Sequence, residues 1–232
     1  MNDRPAPAPP PRLRRWFWAV LFVLAGVTLL FEVTELDLRL QDRFYDFGQR
    51  RWVIDAADPV GRALCYDGPK ALVWVAGLTA LALAAGPAAW RERWGLDRRG
   101  LWLAVLTIAT VPALAGLGKK ISNTFCPSEI RRYGGDVPYV KLFEAFPEDD
   151  RPARRGGGFP AGHASGGFAL MGLAWVRAGR RWRTGLILAG LGLGWWMGGY
   201  QMLKGAHYLS HTVTTMLLAG MTILVWRKVL RV

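Results

Sequence analysis

TGLILAGLGLGWWMGGYQML (residues 184–203) and GAHYLSHTVTTMLLAGMTILVW (residues 205–226) flank Lys204, and neither contains Asp, Glu, Lys or Arg. A helix needs about 20 mostly apolar residues to cross a bilayer, so this pair reads as two consecutive membrane spans. Working outward, the same test finds uncharged runs at 16–31, 71–90, 101–118 and 164–176. Interfacial Trp lengthens the first run, and the fourth extends back into Phe159–His163. The expected fold is an all-α bundle of six transmembrane helices, at 16–33, 71–90, 101–118, 160–177, 184–203 and 206–226. They form one integral-membrane domain, 16–232, behind a proline-rich flexible tail, 1–15.

Composition agrees. Apolar residues make up 52% of the 232 and charged residues 20%, which excludes a disordered chain. Two cysteines exclude a disulfide scaffold or a four-cysteine zinc module. The net charge of +13 first suggests nucleic acid, but its distribution does not. In a six-span layout the termini and the loops after spans two and four carry 15 basic and 3 acidic residues, and the other side carries 15 and 14. Such asymmetry is a topology signal that places the Arg-rich side in the cytoplasm, and no nucleic-acid partner is expected. No small-x-small cleavage pattern follows Phe31, so the first span is read as uncleaved.

The two longer segments, 32–70 and 119–160, then share the non-cytoplasmic side. Leu38, Leu40, Phe44, Phe47 and Val53 suggest an interfacial amphipathic helix in the first. Cys65 and Cys126 fall one in each segment. An oxidising compartment permits a disulfide between them; two buried thiols are the alternative. There is no useful internal repeat, and no signal for an oligomeric state.

The three histidines, His163, His207 and His211, all fall near this side. His163 sits in Phe159-Pro160-Ala161-Gly162-His163-Ala164-Ser165-Gly166-Gly167, where a loop enters a helix. A helix N-terminus offers free N–H groups that suit phosphate. His207 and His211 are four apart and share a helical face, with Lys204 one turn earlier. Gly118-Lys119-Lys120 begins where span three leaves the membrane; taken alone, it marks a span end with snorkelling lysines.

In this order the three stretches resemble the type 2 phosphatidic acid phosphatase superfamily, related to the vanadium haloperoxidases. The family pattern is Lys, six residues, Arg-Pro; then Pro-Ser-Gly-His; then Ser-Arg, five residues, His, three residues, Asp. Here Lys119 precedes Cys126-Pro127 by six residues, Pro160-Ala161-Gly162-His163 matches but for Ser, and His207 lies six after Gln201. The resemblance implies a haloperoxidase-like helical fold with periplasmic loop helices in a bacterial inner membrane. It also implies a lipid phosphate or diphosphate phosphatase acting at the periplasmic face without cofactor or metal. His207 would attack phosphorus and form a phosphohistidine, and His163 would protonate the leaving oxygen. Lys119 and Gly162 would hold the phosphoryl oxygens. Candidate substrates are undecaprenyl diphosphate, lipid A, phosphatidylglycerol phosphate and phosphatidate.

Cys126 replaces the first motif's Arg, whose charge Arg131 or Arg132 would supply, with both also candidates for headgroup contact. Gln201 replaces the third motif's Arg, with Lys204 as its substitute. His211 replaces the Asp that orients the nucleophile; a neutral His211 can accept the ring N–H of His207 and set its tautomer, while the negative charge it lacks is open to Asp136 or Glu129. Phosphoryl transfer from one lipid to another, or a catalytically weakened lipid-binding protein, are the alternatives. A zinc site on the three imidazoles is a further rival, opposed by the neighbouring lysines.

Overall fold

The computed structural model describes residues 11–232. Residues 1–10 of the expected tail lie outside the described residues, and 11–15 open the first helix. The long helices are α1 (Pro11–Val33), α4 (Gly68–Ala85), α6 (Arg98–Ile121), α8 (Arg180–Leu203) and α9 (Leu209–Leu230). Shorter ones are α2 (Leu36–Gln41), α3 (Pro59–Arg62), α5 (Ala88–Glu92) and α7 (Gly162–Ala169). A single hairpin, β1 (Tyr45–Asp46) with β2 (Arg51–Trp52), pairs Tyr45 with Trp52.

Four helical paths are long and apolar enough to cross a membrane: Leu13–Val33, Pro59–Ala85, Arg98–Ile121 and Leu209–Leu230. The expectation of six is met in part. α8 has 24 residues but a glycine-rich sequence with three arginines in its first turn, which lowers its hydropathy. α7 has 8 residues and continues as a 3-10 stretch, Leu170–Trp175. Together they rise roughly 24 Å, less than the ~30 Å hydrocarbon core. This segment is interior: Ala164 through Met171 are buried.

Glycine explains that placement. A Cβ on Gly167 of α7 would come within 2.6 Å of the backbone of Gly194 in α8. The two backbones approach as only small residues allow, which suits helix association in lipid. Phe168, Ala169, Val111, Ala219 and Ile223 close the core around this crossing. The outside is apolar, with Phe22, Leu29, Trp74, Leu78 and Leu188 exposed, and Trp16, Trp18, Trp90, Trp94 and Trp182 exposed toward the Arg-rich end. Unsatisfied apolar surface with Trp near one boundary fits a bilayer.

Two elements shape the opposite end. α3 passes through a π turn, Ala63–Asp67, into α4. Pro69 lacks the N–H that would close an α-turn onto Cys65, and the wide turn carries Tyr66 inward. The segment after α1 is not one amphipathic helix. Between Leu38 and Val53 the α-helix stops at Gln41, and Asp46 Oδ1 accepts from the N–H groups of Gly48 (2.9 Å) and Gln49 (3.0 Å) to turn the chain. Cys65 and Cys126 are free thiols.

Candidate active site

Three loops meet where α6 ends and α7 and α9 begin. Ser122 Oγ donates to Phe159 O (2.7 Å), Gly156 N to Asn123 Oδ1 (2.9 Å) and Gly158 N to Thr124 O (2.8 Å). Ala161 N donates to His211 O (3.3 Å), and Thr215 Oγ1 bonds both His211 O (2.8 Å) and Ala161 O (3.2 Å). These bonds place the Pro160–His163 turn on the first turn of α9.

His207 sits in the turn between α8 and α9. Gly205 holds φ +74° there, and Gln201 O accepts from Ala206 N (2.8 Å) and His207 N (3.3 Å). Gln201 is buried and positions His207 through its carbonyl, while its side-chain oxygen has no hydrogen-bond partner. His207 and His211 are 3% and 1% exposed, with their Nδ1 atoms 3.3 Å apart. His211 therefore occupies the orienting position beside His207, and Nε2 of His207 is the nitrogen not engaged with it. Burial first, then the charges of His211, Lys119 and His163, push His207 well below the usual imidazole range.

Lys119, in the last turn of α6, reaches the backbone of Gly162. A Cβ on Gly162 would stand 3.2 Å from Lys119 Cε and 3.5 Å from Nζ, so Gly is what lets the ammonium lie beside the free N–H end of α7. His163 follows, half-buried, its ring 3.9 Å from that of Tyr66. Lys204 Nζ stands over Tyr66 (5.3 Å) and Tyr200 (4.8 Å). Tyr66 thus joins His163 to Lys204, a role nothing in the sequence pattern announced.

The substitutes suggested for Cys126 lie elsewhere. Arg131 pairs with Asp150 on the exposed cap, and Arg132 with Asp42 (2.6 Å). Glu129 accepts from Cys126 N (2.7 Å) and from Arg154 (2.7 Å), and Asp136 accepts from Arg154 (3.2 Å). These carboxylates are occupied within the cap rather than at His207. Burial, then Glu129, pushes the Cys126 thiol up to about 12, so it carries no charge near neutral pH. Among the described residues no group of three or more His, Cys, Asp or Glu has metal-holding geometry.

Two cavities border the site. One, of about 470 Å³, runs along α4 and α6 and is lined by Lys70, Trp74, Leu78, Ile108, Pro112 and His163 among others. Pro112 leaves Ile108 O without its helical donor. Because Trp74, Leu78 and Leu81 on its wall are exposed, the groove faces the surface that would meet lipid. The other, about 30 Å³, is bordered by His211, Tyr208, Thr124 and Asp37. Asp37 of α2 accepts from Ser210 N (2.9 Å) and so caps α9; burial raises its carboxyl to about 6. Sequence reading missed both Lys70, which looked like a span boundary, and Asp37, which lies far from any motif.

A family model described as the PAP2 superfamily matches residues 100–231. No curated protein and no solved structure matches the chain.

Proposed function

Because the chain belongs to the PAP2 superfamily, we propose that it is an integral-membrane lipid phosphate or diphosphate phosphatase working through a phosphohistidine. The observation that carries the reading is the apolar groove that ends at His163, beside Lys119 and Gly162. A phosphate held there leaves its lipid tail between α4 and α6, in contact with the bilayer.

Nε2 of His207 attacks phosphorus, and the bond to the leaving oxygen breaks as His163 delivers a proton. Lys119 and the Gly162 N–H stabilise the equatorial oxygens. For Nε2 to be nucleophilic, His207 keeps its proton on Nδ1 and donates it to Nδ1 of His211, whose own proton sits on Nε2. A neutral His211 thus sets the tautomer but adds no negative charge to the imidazolium. Water then cleaves the N–P bond, His163 takes the water's proton, and inorganic phosphate leaves. The Lys/Arg bias supports a periplasmic site with both termini cytoplasmic, and the family resemblance supports a bacterial inner membrane.

The test is phosphate release by the purified protein in detergent with EDTA, from undecaprenyl diphosphate, lipid A, phosphatidylglycerol phosphate and phosphatidate. Release that His207→Ala and His163→Ala both abolish supports the reading. Release that survives His207→Ala, or no release by folded protein, overturns it.

A further inference from the structure

Lys70 lines the apolar groove together with Gly162 and His163. Val73, Trp74, Gly77, Leu78 and Leu81 continue the same face of α4 away from it, as residues three and four apart must on a helix. A tail lying along that face therefore passes Lys70 last, just before the phosphorus that His207 attacks. This is the position of the leaving group. No carboxylate lies within 4.0 Å of Lys70, Lys119 or Lys204 among the described residues; the nearby Asp67 is paired with Arg62.

Resting on the phosphatase reading above, we propose that Lys70 forms a leaving-group anion subsite and that the substrate class is a lipid diphosphate. With a monophosphate, the leaving group is an alcohol that takes its proton from His163 and departs neutral. A cation at that point stabilises nothing that develops in the transition state. With a diphosphate, Nε2 of His207 bonds to the terminal phosphorus and the bond to the bridging oxygen breaks. Its electron pair stays on that oxygen, which takes the proton from His163, and the lipid monophosphate departs with the negative charge of its own phosphoryl oxygen. Lys70, exposed at the mouth of the groove, meets this charge. Hydrolysis of the phosphohistidine then gives inorganic phosphate as before. Three lysines without carboxylates also match the roughly three negative charges of a diphosphate monoester better than the two of a monophosphate.

The experiment compares kcat/KM within two pairs of equal tail: undecaprenyl diphosphate against undecaprenyl phosphate, and diacylglycerol diphosphate against phosphatidate. Wild type should favour the diphosphate at least tenfold in whichever pair it accepts. Lys70→Gln should cut diphosphate turnover at least tenfold, cut monophosphate turnover by less than threefold, and so collapse the preference. Lys70→Arg should restore it, which separates a charge effect from misfolding. Equal turnover of both members by wild type, or an equal loss on both in Lys70→Gln, would overturn the subsite while leaving the phosphatase reading intact. If no lipid of either pair releases phosphate, the phosphatase reading itself fails, and the subsite with it.

Discussion

The cap and the cavity mouth are both rich in basic residues, but they use them differently. On the cap, Arg131 meets Asp150, Arg132 meets Asp42, and Arg154 meets Glu129 and Asp136. At the mouth, Lys70, Lys119 and Lys204 converge around Gly162, His163 and Tyr66 with no carboxylate within ion-pair reach among the described residues. A cation already paired with a carboxylate holds loops together. Unpaired cations at one concave place repel each other and gain most from an anion that joins them. This comparison supports the proposal that the mouth takes the phosphate and the cap serves as its scaffold.

The comparison breaks most decisively at the mouth. His207→Ala should lower phosphate release by ~10⁴-fold or more, as loss of a nucleophile does, measured under single-turnover conditions. Lys119→Met should cost ~10²–10³-fold in kcat, because one preorganised charge on the phosphoryl oxygens is lost. A loss below tenfold would move the phosphate elsewhere.

His211 sharpens the comparison from inside. His211→Ala should slow turnover by ~10²-fold through loss of tautomer control. His211→Asp should raise turnover above wild type by up to ~10-fold, since a carboxylate stabilises the imidazolium. Burst kinetics would read both.

Asp37 tests the scaffold behind the site. Its folded-state pKa, about 6, lies above the ordinary 3.8, so the fold favours the protonated carboxyl. That contribution is complete below pH 3.8 and is lost as pH rises through 6. Asp37→Asn keeps the oxygen that caps Ser210 and should stabilise the protein at pH 7.5 by about 2–3 kcal/mol at most. Below pH 4 the difference should vanish, as followed by thermal unfolding in detergent. The smallest effects belong to the cap. Arg131→Ala and Arg132→Ala should change turnover less than twofold and leave the thermal unfolding midpoint nearly unchanged. A hundredfold loss of activity in either would return the cap arginines to the site.

Much of this was legible in the chain. The uncharged runs locate α1, α4, α6 and α9, and the spacing of Lys119, Gly162, His163 and His207 brings out the site. The runs at 160–177 and 184–203 read as ordinary spans, because counting charges does not show that the first is a short, buried helix continuing as a 3-10 stretch, or that glycines and leading arginines lower the hydropathy of α8. Arg131 and Arg132 looked available because their partners, Asp150 and Asp42, are 19 and 90 residues away. Tyr66 gave no signal because its place depends on a π turn before Pro69.

The sequence alone determined that the chain is apolar enough to enter a membrane, which histidines and lysines are the candidates for its chemistry, and that His211 stands where its family has a carboxylate. Periodicity, charge and local spacing are properties of neighbours along the chain. Only the tertiary structure decided which cations stay unpaired, that Lys70 and His163 line one groove, and that Asp37 caps α9. Those outcomes depend on which distant segments close packing brings together and which charges burial leaves facing each other.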